Sequence, residues 1–326
     1  MLIGIVAAGG CGFGPGESEP GEANLRVTRD FGSELMVDAT LTDPTESDSV
    51  VRFLDDNAEV ETSYGGNFVD AINGVAGSTV QGGDDDWFFF VNGYYSEIGA
   101  GEARVHAGDR IWWDYRDWQQ AYRVPAVVGS FPEPFLHGES GGEAPEVTLE
   151  CVGGAGQGDA CATVADALDH AGIDAEERDL DRPEASGDAL RILVGEWSDL
   201  SDDPAAAQLE DGPSASGVYA TVASCGDQGG DGGDGGYRLE VLGSDAKPRL
   251  QLADAGFVAA VRHREDPPTW VVAGTGPDSV QRAAALLGED TLQDRYAVAA
   301  GPSGEPVPMP APDELDIPEK ESAPCG

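Results

Sequence analysis

The stretch WFFFVNGYYSEIGAGEARVHAGDRIWWDY, residues 87–115, is dense in aromatic side chains, although these make up only 7% of the chain. Two interpretations compete: the rings form the core of a small sheet, or they form the wall of a ligand site. Two turn signals, Asn92-Gly93 and Gly108-Asp109, bound the aromatic strands. We therefore expect most of these rings in a core and a few of them free for a ligand.

The second aromatic strand carries different residues on its two faces. Its period of two puts Ile111, Trp113 and Tyr115 on one face, which we expect to meet a helix. Trp112 lies on the opposite, partly charged face and has no obvious core partner in the sequence pattern. We expect Trp112 to be available for contact with a ligand.

Outward from this stretch, residues 22–125 are predicted to form one domain. Strand patterns at 24–32 and 33–41 meet at a Gly-Ser turn, and a short amphipathic helix follows at 44–56. Further strands then lead into the aromatic stretch. Strand, strand, helix and further strands is the order of a β-grasp, in which a mixed sheet wraps over one helix.

The rest of the chain divides by composition. The predicted segments are a signal remnant and tether at 1–21, a Pro/Gly-rich linker at 126–145, a second domain at 146–300 and a disordered Pro-rich acidic tail at 301–326. Strand and helix patterns alternate in the second domain. The predicted fold class is therefore α+β, with an N-terminal β-grasp domain followed by a second, α/β-type sandwich domain.

The composition excludes several functional classes. The chain has 61 acidic and 18 basic residues, a formal net charge of −43. This charge repels phosphate backbones and anionic lipid headgroups, so we exclude nucleic-acid binding. No cysteine or histidine spacing resembles a zinc site, and we expect neither a metal nor a cofactor. HExxH does not occur, no Cys-His pair with a local signature appears, and we expect a protein that is not an enzyme.

The first residues, MLIGIVAAGGCG, begin with a short apolar run, which is followed by small residues and Cys11. This pattern resembles the end of a bacterial lipoprotein signal peptide, whose cysteine is lipidated. We expect Cys11 to anchor an extracytoplasmic protein to the cell membrane, with the Gly/Pro/Glu-rich segment after it as a tether. The alternative is a fortuitous apolar stretch with a free cysteine.

The other four cysteines allow three disulfide pairings. Cys151 ends a strand pattern and Cys161 opens a helix pattern across a short loop, so we expect these two to pair. The pairing of Cys225 and Cys325 stays open.

The aromatic stretch and the preceding SYGGNFVDAINGVAG, residues 63–77, resemble the transcobalamin-like C-terminal domain family, a β-grasp module of bacterial surface proteins. The resemblance covers residues 24–118. It is carried by the order and spacing of Trp87, Asn92-Gly93, Gly99, Gly108-Asp109 and Trp118. In animal cobalamin carriers the similar domain closes over the bound corrinoid as a lid, so the resemblance implies a ligand face.

We therefore expect a binding protein for a small ligand that serves a membrane transporter, with a corrinoid as the ligand that the resemblance implies. The residues expected to stack on a flat ligand are Trp87, Tyr94, Tyr95, Trp112 and Trp118. Two alternatives stay open. One is a structural or adhesive cell-surface module without a small ligand, and the other is a hydrolase.

Overall fold

A computed structural model of the protein describes residues 16–139, 141–152, 158–180, 187–225 and 236–314. Cys11, the predicted lipid-attachment residue, lies outside the described residues, and so does Cys325. Helices, strands and their contacts are given for the described residues alone.

The N-terminal unit is a mixed sheet packed on a short helix. Its strands are β1 (Glu22–Arg29), β2 (Glu34–Thr42), β3 (Val60–Ser63), β4 (Phe68–Ile72), β5 (Val75–Ala76), β6 (Asp85–Val91), β7 (Tyr94–Tyr95) and β8 (Arg110–Asp117), and its helices are α1 (Val50–Asp55) and α2 (Ser78–Gln81). The main sheet has the order β2-β1-β8-β6-β7, and β3, β4 and β5 form a separate sheet. β1 runs parallel to β8, whereas its hairpin partner β2 is antiparallel. This is the arrangement that the order of the elements predicts.

The core of the N-terminal unit lies between α1 and one face of the sheet. Phe53 and Leu54 of α1 are buried in one apolar cluster with Ile111 and Trp113 of β8. Ile111 and Trp113 therefore face α1, as the alternation of side chains along β8 predicts. The other face of β8 carries Trp112, and it does not face solvent.

The C-terminal unit alternates strands and helices. Its strands are β9 (Val147–Cys151), β10 (Ala175–Asp179), β11 (Leu190–Glu196), β12 (Ala220–Ser224), β13 (Tyr237–Leu242), β14 (Pro248–Leu252), β15 (Gly256–Val261), β16 (Thr269–Gly274), β17 (Ala297–Ala300) and β18 (Pro306–Met309). Its helices are α3 (Gly158–His170), α4 (Trp197–Leu200), α5 (Pro213–Ser216), α6 (Pro277–Ala285) and α7 (Glu289–Leu292). The α+β prediction is confirmed for the chain as a whole.

A seven-stranded sheet with the order β10-β9-β11-β16-β15-β17-β18 forms the centre of the C-terminal unit. The first four strands are parallel, and the remaining pairs are antiparallel. β11, β15 and β16 are nearly continuous apolar runs because both faces of the sheet are covered. The helices α3 and α6 cover one face, and the small sheet β12-β13-β14 with the short helices α4 and α5 covers the other.

The predicted linker, 126–145, packs against the C-terminal unit through its aromatic residues. The ring centroids of Phe131 and Phe135 lie 5.9 and 5.0 Å from that of Trp270 on β16. Both phenylalanines are buried. The segment is therefore part of a core and not a free connection between the two units.

The prediction of a disordered tail was wrong for part of 301–326. Pro306–Met309 forms β18, an edge strand paired antiparallel with β17. Val307 and Met309 point into the core because side chains alternate along a strand. Residues 315–326 lie outside the described part of the chain.

The two units meet at an aromatic junction. Phe31, at the tip of the β1–β2 hairpin, has its ring centroid 4.9 Å from that of Tyr219 and 5.2 Å from that of Tyr296. The ring of Trp112 lies 5.3 Å from that of Tyr296. Phe31 has φ = 58°, a left-handed conformation that is rare for a bulky residue. The hairpin tip is thus held in a strained conformation by its contacts with the C-terminal unit.

Ion pairs flank this junction. Arg26 of β1 forms a bidentate pair with Asp294, and Arg110 Nη2 of β8 lies 2.6 Å from the Glu289 carboxylate. Both acids belong to the C-terminal unit. Because partly exposed ion pairs contribute little, we ascribe most of the docking energy to the buried rings.

No helix among the described residues has the length and apolar character needed to span a membrane.

Candidate functional site

A cleft of about 430 Å³ opens on the N-terminal unit, beside β6. It lies where β7 ends after only two residues, so that the strand neighbouring β6 is replaced by the loop 96–99. The start of β4, the start of α2 and the loop 118–122 close the other sides. The cleft is lined mainly by aromatic side chains.

The structure brings three of the five predicted ligand-binding residues to this cleft: Trp87, Tyr95 and Trp118. Trp87 lies on its floor, where its side chain is only 6% exposed. The Trp87 indole Nε1 donates a hydrogen bond of 2.9 Å to the Val75 carbonyl, so its polar atom is satisfied within the protein. Tyr95 and Trp118 are half-buried and keep part of their rings accessible.

The other two predicted residues, Tyr94 and Trp112, do not reach the cleft, and the expectation of accessible rings was wrong for both of them and for the buried Trp87. Trp112 is 3% exposed because Phe90 and Tyr296 pack on its ring, and its Nε1 donates to Thr28 Oγ1 at 2.8 Å. Tyr94 is buried in the cluster that joins the segment after residue 125 to the C-terminal unit. Burial raises the pKa of its hydroxyl well above the ordinary value.

Rings stacked beneath the cleft make its floor rigid. Phe89 and Trp113 lie face to face with centroids 4.6 Å apart, and Trp87 packs on Tyr115 at 5.1 Å. Aromatic pairs at these distances are favourable beyond the area that they bury. The floor of the cleft is therefore a layer of closely packed rings.

Trp118 and Tyr122 form one wall of the cleft. Their rings meet edge to face, with centroids 5.9 Å apart. Tyr122 is 64% exposed, so most of its ring is free for contact. Burial raises the pKa of the Tyr95 hydroxyl, which belongs to a further side chain of the cleft.

The rim of the cleft is unusually apolar. Among the described residues, five large apolar side chains are strongly exposed: Leu35, Tyr64, Val80, Ile98 and Tyr122. Ile98 and Tyr122 line the cleft directly. Tyr64 and Val80 belong to the segments that bring Asn67 and Ser78 to its edge. Exposed apolar residues gathered around a concave surface are typical of a binding site.

The charged groups of the cleft are acidic, with one cation at the edge. Asp86 accepts hydrogen bonds from Ser78 Oγ and its neighbour Trp87 N. Glu97 pairs with Arg123 at 3.0 Å on the surface. With the net charge of −43, these groups disfavour an anionic ligand.

The aromatic stretch alone did not reveal that Ile98 and Tyr122 line the cleft. Ile98 follows the predicted aromatic strand in a loop, and Tyr122 follows the last strand four residues after Trp118. Neither position has a sequence pattern that indicates exposure. In the sequence, their place in the cleft is indicated only by their short spacing from Tyr95 and Trp118.

Two other concave surfaces carry different chemistry. A cleft of about 700 Å³ beside the junction between the units is lined by carboxylates and prolines, including Asp30, Asp85 and Asp117. Burial and the neighbouring carboxylates raise the pKa of Asp85. No group of three or more metal-ligating side chains is assembled in the described part of the chain.

The second of these surfaces, a groove of about 690 Å³, contains Cys151 and Cys161. These two cysteines form a disulfide bond with a Cα–Cα distance of 6.0 Å, which confirms the predicted pairing. It joins the end of β9 to the first turn of α3. Cys225 is disulfide-bonded as well.

Comparison with known families supports the resemblance over part of the N-terminal unit. Residues 47–117 match a family model described as a domain of unknown function, DUF4430, which is a transcobalamin-like domain family. The match runs from just before α1 to the end of β8 and covers less than a quarter of the chain. No curated protein and no solved structure matches the chain.

Proposed function

We propose that the N-terminal unit binds a small, flat and largely apolar ligand in the aromatic cleft. The observation that carries the proposal is the coincidence of two features. The cleft that holds Trp87, Tyr95 and Trp118 is also lined by Ile98 and Tyr122, two of the five strongly exposed large apolar side chains of the described residues. Soluble proteins rarely leave such groups together without a binding role.

The physical properties of the cleft restrict the ligand. Its volume of about 430 Å³ lies in the range of small-molecule sites, and half-exposed rings stack on planar groups with little loss of conformational entropy. Asp86 and Glu97 favour a neutral or cationic ligand. The described residues that line the cleft include no histidine, cysteine or lysine, which supports binding over catalysis.

For the ligand itself we propose a corrinoid, on the basis of the transcobalamin-like match at residues 47–117. A corrin ring is a flat macrocycle whose rim carries methyl groups among amide side chains, and one edge would enter the cleft while the rest lies over Ile98 and Tyr122. Cys11 would be lipidated and would hold the protein outside the cytoplasmic membrane, where it would deliver the ligand to a transporter. Mass spectrometry of protein from its native host tests the lipidation of Cys11, because an unmodified thiol would overturn it.

The binding proposal is tested by calorimetric titration with two probes, cyanocobalamin and the neutral planar dye Nile red. Trp118→Ala removes one wall of the cleft and should weaken binding at least tenfold. Leu35→Ala is the matched control, since Leu35 is an exposed apolar residue on β2 that does not line the cleft. It should bind as the wild type does.

The outcomes distinguish a corrinoid site from a general site for planar apolar ligands. Binding of both probes that depends on Trp118 supports a corrinoid site. Binding of Nile red alone supports a site for planar apolar ligands and overturns the corrinoid assignment. If neither probe binds, or if Leu35→Ala weakens binding as much as Trp118→Ala does, the cleft is not the proposed site.

A second candidate is a cell-surface module that uses the same apolar rim to contact a macromolecule. The strong exposure of Tyr64, which is 85% accessible and does not line the cleft itself, favours this alternative. It predicts that Tyr64→Ser abolishes binding to the cell surface or to a second copy without affecting either small probe. Cell-adhesion and sedimentation measurements on this variant distinguish the two functions.

A further inference from the structure

Arg116 is a fully buried cation that forms no direct ion pair within the described part of the chain. It lies on the face of β8 that it shares with Trp112 and Asp114, and its side chain has no accessible surface. Among the described residues, no carboxylate oxygen lies within ion-pair distance of its guanidinium. A buried charge is costly, and attraction to the buried Asp114 on the same face of β8 offsets only part of that cost.

The guanidinium instead binds the backbone of the loop that follows β8. Arg116 Nη1 donates to the carbonyls of Asp117 and Ala121 at 3.1 and 2.8 Å, and Nη2 donates to that of Tyr122 at 3.2 Å. The opposite side of the group lies over the ring of Phe88, 4.0 Å from its centroid. Its Nε is buried and has no hydrogen-bond partner among the described residues. The guanidinium is therefore oriented to donate to the loop carbonyls, and this orientation leaves its Nε–H without an acceptor among the described residues.

The loop bound in this way, residues 117–122, carries the wall of the aromatic cleft. Trp118 and Tyr122 sit at its two ends and meet edge to face. Trp118 N also donates a hydrogen bond to the Asp84 carbonyl, which attaches the first end of the loop to the residue just before β6. The far end, at Ala121 and Tyr122, is bound by Arg116.

From this geometry we infer that Arg116 is a positioning residue for ligand binding, which holds Trp118 and Tyr122 in place as the wall of the cleft. The inference rests on the proposed binding function of that cleft. A planar guanidinium suits the task because its several donors reach carbonyls in different directions at once, whereas a lysine ammonium on its flexible stem does not reproduce this fork. The ring of Phe88 compensates part of the charge from the other side.

The test follows Trp118 directly and without a ligand, by ¹⁹F NMR of protein labelled with 5-fluorotryptophan. Trp118→Phe assigns the resonance. In Arg116→Met and Arg116→Lys the Trp118 resonance should shift or broaden, while those of Trp197 and Trp270 in the C-terminal unit keep their positions. Arg52→Met is the control, because Arg52 is an exposed arginine of α1 that bonds Ser47 and does not line the cleft.

Lysine distinguishes two roles of Arg116. If the fork to the carbonyls matters, Arg116→Lys resembles Arg116→Met; if only the positive charge over Phe88 mattered, Lys would behave as the wild type and the inference would be overturned. Should both Arg116 variants fail to fold, Phe88→Leu loosens the same guanidinium from below and should shift the Trp118 resonance in the same direction. An unchanged Trp118 resonance in folded variants also overturns the inference.

Binding of Nile red then connects position to function. Arg116→Met should weaken it about as much as Trp118→Ala does, at least tenfold, whereas Arg52→Met should leave it within twofold. If the wild type does not bind the dye, the proposed function fails, but the NMR result still decides whether Arg116 holds the loop.

Discussion

The hydroxyl of Tyr296 donates a hydrogen bond of 2.9 Å to the carboxylate of Asp114, and this bond crosses the junction between the two units. Asp114 is fully buried on β8, where Thr28 Oγ1 and the Gly32 amide also donate to it. Trp112 and Phe90 surround the pair with rings. A single carboxylate is therefore the polar centre of an otherwise aromatic junction, on the same strand as Arg116.

Asp114 should make stability depend on pH in an unusual direction. Burial raises its pKa from 3.8 to about 6, although the bonds from Thr28, Tyr296 and Gly32 oppose the rise. The folded state then binds the proton more tightly than the unfolded state. The contribution of this group to the free energy of unfolding is thus largest below pH 4 and is lost as the pH rises to 6, by about 3 kcal/mol.

Asp114→Asn removes this titration. We expect the variant to gain stability relative to the wild type as the pH rises from 4 to 6, measured by urea unfolding at each pH. Comparison with the wild type cancels the contributions of the other carboxylates. A stability difference that stays constant over this range would refute the assignment.

Tyr296→Phe tests the bond across the junction. It removes the hydroxyl that bonds an ionised group, so we expect a loss of about 1.5–3 kcal/mol in the free energy of unfolding at pH 7. Tyr219→Phe is the matched control, because the Tyr219 hydroxyl is buried nearby without a hydrogen-bond partner in the described structure. It should be neutral or slightly stabilising. Equal losses in the two variants would show that the Tyr296 bond has no special role.

Gly32 tests the docking of the β1–β2 hairpin. A Cβ atom at this position would overlap the carbonyl oxygen of Asp294 in the C-terminal unit, and the residue has φ = 84°. Gly32→Ala should therefore lower the free energy of unfolding by about 3 kcal/mol or more, from backbone strain and steric overlap together. Thermal or chemical unfolding gives the value.

The control for this variant is Gly74→Ala. Gly74 has φ = 78° but no atom within 4 Å of its Cβ position, so it incurs the backbone strain alone, about 1 kcal/mol. The difference between the two variants isolates the contact with Asp294. Similar losses in both would mean that the hairpin does not dock on the C-terminal unit as described.

The disulfide between Cys151 and Cys161 closes a short loop at the start of α3. The double variant Cys151→Ala/Cys161→Ala should lose about 3 kcal/mol, because the unfolded chain regains the freedom of that loop. Chemical unfolding under oxidising conditions measures this loss. Under reducing conditions variant and wild type should differ little, and a difference that persists there would assign the effect to packing.

Local patterns in the sequence were sufficient for the N-terminal sheet. The alternation at Ile111 and Trp113 identified the face that meets α1, since a strand repeats every two residues whatever surrounds it. The Asn92-Gly93 turn has φ = 53° and 82°, the left-handed values that these residue types adopt readily. The proximity of Cys151 and Cys161 also followed from a strand and a helix joined by a short loop.

The candidate site was only partly accessible from the sequence. Trp112 was predicted to be free because its own strand offers no partner for that face, yet Tyr296, which is remote in the chain, covers it. The same periodicity that exposes a residue in one unit buries it when a second unit docks there.

The sequence by itself determined the class of fold, the inward face of β8 and the disulfide partners, because these depend on contacts between neighbours in the chain or on the repeat of a strand. The tertiary structure alone decided which rings remain accessible. Docking of the C-terminal unit covers Tyr94 and Trp112, while the short β7 and the loop held by Arg116 leave Tyr95 and Trp118 open to solvent. Accessibility depends on every surface that approaches a side chain, and most of those surfaces come from distant parts of the chain.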